Sequence, residues 1–327
     1  MRPVRCQFMG FIISLDSYEI LMILTSKEQI LAIKLGISFD PIRLETELRS
    51  IEHLSGVAQP GKYHNGEWTG LSLHSEGGKE VSAAPGRPAL EHYLPTPLLH
   101  RLPYMREIIE SLPCPKTVVR LMSLPSGGII REHTDKDMSF QLGTLRLHVP
   151  IVTHPDVEFL LGGQRMRWMP GELWYADFVQ PHSIRNVSPI RRVHMIADVL
   201  ITEDLLALFP PEFVAKQRST GIAFSPTRAK LSMEDLRRFE GEFIVPRSAL
   251  PIGDMDKILA RIRLVGEELK VFIGEHPLFA LEPVAANRLI IRGLPPGIMI
   301  ECTMTASGLA NASLHRGGEC IQLIISK

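Results

Sequence analysis

Two His-x-Asp triplets stand near the middle of the chain, His133-Thr134-Asp135 and His154-Pro155-Asp156, and each offers an imidazole and a carboxylate two residues apart. Alternate residues on a strand share a face, so such a pair can converge on one metal ion. The second triplet lies between two strand-like runs and supplies the Pro and Asp that a hairpin turn favours, so turn chemistry accounts for it. The first follows Leu124-Pro125-Ser126-Gly127-Gly128-Ile129-Ile130, a glycine-containing turn leading into a short extended stretch. His133 and Asp135 are therefore the candidate ligands. His182, which follows Pro181 and opens another strand-like run, is the expected third ligand, from a strand lying opposite in a barrel. Two imidazoles and one carboxylate leave open positions on Fe(II), the arrangement used by non-haem oxygenases.

Beyond His182 comes Arg192, on a run where Arg192, His194 and Ile196 share one face and Val193, Met195 and Ala197 the other. An arginine pointing into a β-barrel is costly unless an anion meets it. The C5 carboxylate of 2-oxoglutarate is such an anion, and a guanidinium can bind it bidentately. Arg146 and His148 share a face opposite Leu145, Leu147, Val149 and Ile151, a position from which they could contact the cosubstrate's C1 carboxylate beside the metal. Asp198 lies on the Arg192 face, to orient that arginine or to cap the strand end. Trp168 and Trp174 flank the Pro170-Gly171 turn and read as packing. His53, His74, His92, His100, His276 and His315 have no ligand-like spacing.

The elements that must position these residues are mostly strands. Residues 118–123, 144–153, 157–161, 164–169, 172–178 and 191–201 are short β-branched and apolar runs, separated by turn signals such as Gly162-Gly163 and Pro170-Gly171. A jelly roll fits that count. Ahead of them, Asp40-Pro41 before Ile42, Leu44, Leu48, Ile51 and Leu54 predicts a helix with a capped start and one buried face. Thr96-Pro97 repeats the start signal, and Pro103 interrupts the pattern before residues 104–112 resume it. Residues 61–84, rich in Gly, Ser and His, read as loops and short strands. Residues 209–232, rich in Pro and basic side chains, read as a linker or an edge-wrapping arm. Seven further runs follow, at 239–245, 258–264, 269–273, 278–281, 288–292, 299–305 and 320–325. They predict a second, smaller antiparallel β domain whose rhythm is similar to the small barrel appended to some serine hydrolases.

Taken in order, Leu124 to Ile129, His133-Thr134-Asp135, Arg146-Leu147-His148-Val149-Pro150-Ile151, Pro170-Gly171-Glu172-Leu173-Trp174, His182-Ser183-Ile184-Arg185-Asn186 and Arg192-Val193-His194-Met195 resemble the aspartyl/asparaginyl β-hydroxylase family of Fe(II)/2-oxoglutarate dioxygenases. The resemblance covers residues 116–202, and Trp68 and Gly70 resemble a loop of bacterial members. It implies that His133, Asp135 and His182 bind iron, that Arg192 holds the distal carboxylate of 2-oxoglutarate, and that Arg146 and His148 contact its metal-proximal end. It further implies hydroxylation of a substrate C–H by O2, with decarboxylation of 2-oxoglutarate to succinate. The substrate class would be an amino acid, free or carrier-bound, or an Asp/Asn-type residue in a peptide. The alternative is a cupin-like metal-binding protein or isomerase without oxygenase turnover, which would not require an inward Arg192. A second alternative makes the chain an interaction protein with an inactive first domain, against which the intact ligand set argues.

Composition narrows the rest. The chain has 327 residues with 36 basic and 36 acidic side chains, so it lacks the one-sided charge that attracts nucleic acid or anionic membranes. Hydrophobic residues at 45% fit a globular fold. The apolar stretch 8–24 is interrupted by Asp16 and Glu19, which argues against a membrane anchor. Arg2 and Arg5 precede a short apolar run without a cleavage signal. Four scattered cysteines without CxxC spacing point to a reducing, cytoplasmic setting. The expected organisation is therefore a helical and loop region over 1–115, a jelly-roll core over 116–208, a linker over 209–235 and a β domain over 236–327.

Overall fold

The computed structural model describes residues 10–15, 18–24, 29–81, 87–246, 257–306 and 308–326. The opening residues with Arg2, Arg5 and Cys6, together with Asp16 and Ala84, lie outside them. The chain begins with antiparallel strands β1 (Gly10–Leu15), β2 (Tyr18–Leu24) and β3 (Ile30–Ser38). Helix α1 (Pro41–Ser50) starts where the sequence places it. The Asp40 carboxylate accepts hydrogen bonds from the amides of Ile42 and Arg43, at 2.9 and 3.2 Å, and Leu44 and Leu48 are buried. Strands β4 (Val57–Ala58), β5 (Thr69–Glu76) and β6 (Tyr93–Pro95) follow, then helices α2 (Pro97–His100) and α3 (Pro103–Ser111), each opened by its proline.

The next strands are β7 (Lys116–Leu124), β8 (Ile129–His133), β9 (Thr144–Val152), β10 (Val157–Leu161), β11 (Gln164–Met166), β12 (Glu172–Ala176), β13 (His182–Asn186) and β14 (Arg192–Leu200). They form two sheets. The larger runs β1-β2-β3-β12-β9-β14-β7-β5-β4 with β6 on β5, and the smaller runs β11-β10-β13-β8. This is the jelly roll that the strand rhythm implies. Alternation along the strands feeds two cores. Leu145, Leu147, Val149, Val193, Met195 and Val199 face outward against Leu44, Leu48, Ile108 and Ile109 of the helices. Leu124, Ile130, Phe159, Leu161, Trp168, Trp174, Phe178 and Ile184 pack between the sheets.

The sheet takes in β3 and β5, which lie in the region expected to be helical and loop-like ahead of residue 116. Strand β5 falls within residues 61–84, read as loops and short strands, whereas the apolar run of β3 shows its place in the sheet only through its pairing with β2 and β12. After β14 come α4 (Glu203–Leu206), α5 (Pro211–Thr220) and α6 (Met233–Arg237). The stretch expected as a linker thus contains a helix. Helix α5 lacks a regular apolar stripe and is held by Phe209 and Phe213, whose rings meet Phe140 and Tyr175 in the outer core.

The C-terminal strands β15 (Gly241–Pro246), β16 (Lys257–Val265), β17 (Glu268–Ile273), β18 (His276–Ala285), β19 (Arg288–Ile291), β20 (Ile298–Thr305), β21 (Gly308–Arg316) and β22 (Glu319–Ser326) close into a barrel. Seven of these are predicted from sequence. The eighth, β21, reads Gly-Leu-Ala-Asn-Ala-Ser-Leu-His-Arg and buries only Ala312 and Leu314, too small an inward face to signal a strand. Among the described residues, Cys114, Cys302 and Cys320 are free thiols, and no helix is long and apolar enough to cross a membrane.

Candidate metal centre

Strands β8 and β13 are hydrogen-bonded neighbours, and His133 sits directly opposite His182 across the pair. The expectation that His182 comes from a strand across the barrel is corrected to an adjacent strand. A directly opposed cross-strand pair brings side chains close, and the two ring centroids are 4.1 Å apart. The register then shifts between His182 and Ile184, an irregularity at the site itself. Asp135 lies just past the end of β8 and not on it; its amide donates to the Phe178 carbonyl at 2.8 Å, which turns the carboxylate back toward the imidazoles. One ligand atom from each of His133, Asp135 and His182 lies within 4.8 Å of the others.

The imidazoles are oriented by the backbone. His133 Nδ1 lies 2.9 Å from the Arg131 carbonyl and His182 Nδ1 3.0 Å from the Gln180 carbonyl. A carbonyl only accepts, so each Nδ1 carries the proton and each Nε2 keeps a lone pair for a metal. Burial pulls the His182 pKa down to about 4 against the upward pull of the Gln180 carbonyl, which keeps the ring neutral as a ligand must be. Burial would raise the Asp135 pKa, but Arg146 and the two imidazoles outweigh it and hold the carboxylate below its ordinary range.

Arg146 stands behind Asp135, forming an ion pair with it. Its Nε and Nη2 grip the Asp198 carboxylate at 2.6 and 3.0 Å, and Arg120 lies 3.7 Å from the same group. Burial alone would lower the Arg146 pKa, and the two carboxylates reverse that and raise it. Arg146, expected beside the cosubstrate, is thus engaged by Asp198 and Asp135. The reason is register: Asp198 is its direct partner on β14. The same pairing takes Asp198 away from Arg192, so neither role expected for it holds.

Arg192 and His148 lie on the inner face as the alternation requires. Arg192 is 2% exposed, with Nη2 3.0 Å from His194 Nδ1, and among the described residues no carboxylate pairs with it. Burial is what pulls its pKa down to about 9. The neighbouring Arg191 points outward, 42% exposed and 3.7 Å from Glu52. His148 and His194 are buried with Nδ1 atoms 3.4 Å apart, and burial, with Arg192 next in effect, holds both well below the usual imidazole range. Their Nε2 atoms and Trp168 Nε1 are buried without a hydrogen-bond partner among the described residues. A cavity of about 250 Å³ reaches this group, with Arg192, His194, Trp168 and Phe159 in its wall. Toward the ligands, His148 stacks on Phe178 at 4.9 Å, and Phe178 meets His182 at 4.9 Å.

His154 forms the expected turn, with the Val157 amide donating to its carbonyl at 3.0 Å, and also lines the cavity. Trp174 is core, its Nε1 donating to Glu172 at 2.8 Å. Three residues escape the sequence reading. Arg120 is buried and inward on β7, and the argument that finds Arg192 would have found it, since it alternates with Val119 and Leu121. Tyr63 stacks on His133 at 4.8 Å from a loop with no periodicity, and Phe178 contributes a carbonyl, which leaves no trace in sequence.

Fold and geometry together give a jelly-roll protein in which two imidazoles and one carboxylate are close enough to hold a metal ion. Residues 42–201 match the family model Aspartyl/Asparaginyl beta-hydroxylase, and this segment belongs to that family. An L-proline cis-4-hydroxylase of Rhizobium meliloti (strain 1021) is 25% identical over 183 residues, which are 54% of this chain and 62% of that protein's length. The match therefore spans less than two thirds of that relative. Among solved structures, a non-heme monooxygenase, ThoJ, in complex with nickel is 13% identical over 52% of this chain and 73% of its own, with a TM-score of 0.31. A predicted oxalate decarboxylase from Thermotoga maritima is 16% identical over 29% and 74%, with a TM-score of 0.20. Both superpositions are too loose to bear on this chain.

Proposed function

We propose that the protein is an Fe(II)- and 2-oxoglutarate-dependent dioxygenase that hydroxylates a C–H of an amino acid, or of an Asp/Asn-type residue in a peptide, while 2-oxoglutarate is decarboxylated to succinate. The observation that carries this reading is Arg192, a buried guanidinium without a carboxylate partner, set among three unpartnered polar atoms. A buried cation in that state needs an anion. The ligand set fits iron: two neutral imidazoles and one carboxylate, with no thiolate among them to favour zinc.

His133, Asp135 and His182 would hold Fe(II), which supplies the oxygen-activating chemistry when bound. Arg192 would grip the distal carboxylate of 2-oxoglutarate, and His194, fixed against Arg192, would complete that end. Trp168 Nε1 can donate to the same anion. His148, neutral by burial, stands between this end and the ligands and orients the cosubstrate. Arg146, with Arg120 beside Asp198, balances the charge of Asp135 and Asp198, and so keeps the carboxylate ligand ionised and fixed. Phe178 and Trp168 keep water from the space between the two ends.

The test is anaerobic titration of the apoprotein with Fe(II) and then 2-oxoglutarate, followed by exposure to air with an amino-acid and peptide panel. The name of the Rhizobium relative makes free proline the first member. Substrate-dependent succinate with a mass gain of one oxygen is the expected result. Iron binding that is indifferent to 2-oxoglutarate would favour the cupin-like alternative, a metal protein without oxygenase turnover.

A further inference from the structure

The C-terminal barrel lies outside the family match, yet it touches the turn that carries Asp135. Between β8 and β9 the chain runs through residues 134–143, and three alternate side chains of this turn enter three different cores. Met138 packs between the two sheets, Phe140 packs in the outer helical core, and Leu142, 7% exposed, packs in the core of the barrel. The turn is also internally tied. The Met138 amide donates to the Asp135 carbonyl at 3.1 Å, and the Gly143 amide to the Ser139 carbonyl at 2.9 Å. On the barrel side, the Gly297 amide donates to the Leu142 carbonyl at 2.9 Å, and Arg316 reaches Asp137 at 2.9 Å.

We infer that the barrel is a positioning device for the metal centre, holding the 134–143 turn so that the Asp135 carboxylate stays within reach of His133 and His182. This rests on the function proposed above, in that Asp135 is a metal ligand. Without the barrel, Leu142 would lose its core, and the turn would keep Met138, Phe140 and its backbone bonds to the jelly-roll side, from the Asp135 amide to the Phe178 carbonyl, from the Ala223 amide to the Phe140 carbonyl and from the Ile201 amide to the Gly143 carbonyl. Groups that orient a metal ligand from outside the first ring of contacts typically change metal affinity by about 10- to 100-fold. Gly297, Leu142 and Arg316 are accordingly positioning residues, acting through the turn.

The geometry supplies two wedges, one on the turn and one away from it. A Cβ on Gly297 would lie 2.7 Å from the Gln141 carbonyl oxygen and 2.8 Å from Leu142 Cα, closer than packed atoms tolerate, and would push on the metal-bearing turn. A Cβ on Gly293 would lie 2.2 Å from the Arg87 carbonyl oxygen. With a φ of +87° that already disfavours a side chain, it would push harder between barrel and jelly roll than the Gly297 change, but against the segment that leads into β6 and away from the ligands. The experiment is Co(II) titration of the full-length apoprotein and of Gly297→Ala and Gly293→Ala, read by the visible Co(II) spectrum, with thermal unfolding of each. Both variants should lose thermal stability. Only Gly297→Ala should weaken Co(II) binding, by about tenfold, and alter the spectrum. Equal Co(II) affinity in the two variants, whether both unchanged or both weakened alike, would overturn the inference and leave the barrel a stabiliser only. Should Gly297→Ala not fold, Arg316→Glu and its charge-swapped partner Asp137→Arg serve instead. A single change that weakens Co(II) and a double change that restores it support the inference, and unchanged affinity in all three overturns it. Wild-type protein that takes up no Co(II), or takes it up equally after His133→Ala, would instead refute the metal centre itself.

Discussion

At the scale of single residues, the two imidazoles and the buried guanidinium make separable predictions. His133→Ala or His182→Ala should abolish metal-dependent turnover and leave Fe(II) weakly held, because two protein ligands remain of three. His154→Ala should leave metal binding unchanged. Iron titration of the three variants checks both statements. Arg192→Lys keeps the charge and loses the planar fork, so 2-oxoglutarate affinity should fall by about 10- to 100-fold, or ~1.5 to 3 kcal/mol. Arg191→Lys should do little, since that side chain lies outside beside Glu52. Cosubstrate titration at fixed iron measures the difference. Arg192 was legible because alternation on one strand decides which of two adjacent arginines turns inward. Arg146 was legible as inward but not in its role. Its partner Asp198 sits on another strand, and only the register between β9 and β14 brings the two together.

At the scale of elements, the punctuation of the chain was more readable than its pairing. Asp40, Thr96 and the prolines after them fix helix starts through local chemistry, and α1 and α2 begin there. Asp40→Ala should therefore cost about 1 kcal/mol, read as a lower urea midpoint with an unchanged slope. Strand pairing depends on residues far apart, so the placement of β13 beside β8, and hence of His182 beside His133, could not be read from spacing. Strands β3 and β21 were missed for different reasons. Strand β21 carries too few inward apolar residues to signal a strand, whereas β3 is apolar along most of its length and only its pairing with β12 shows that it belongs to the same sheet as β9 and β14.

At the scale of the whole molecule, buried imidazoles make stability depend on pH. His148 and His194 are held well below the ordinary imidazole range in the folded protein, while in the unfolded chain they titrate near ~6.5. Below that pH the unfolded chain binds more protons than the folded one, so stability falls as pH falls. Asp135, shifted downward, keeps its contribution until more acidic pH still. The urea midpoint of the apoprotein should be level between about pH 7 and 8 and should drop between about 6.5 and 5; a level profile down to pH 5 would contradict the burial of these rings. The joint between the two halves has a further consequence, for the order in which the chain acquires its shape. Ala89 bonds through its backbone to Ala280 and Arg292, and the Arg292 side chain reaches the Leu90 carbonyl, a partner 202 positions earlier. Contacts that distant cannot form until most of the chain has been synthesised, and they close slowly. A nascent jelly roll leaving the ribosome has its three candidate metal ligands but nothing yet to receive Leu142 or residues 87–90. Its maturation therefore waits on the arrival of the last strands.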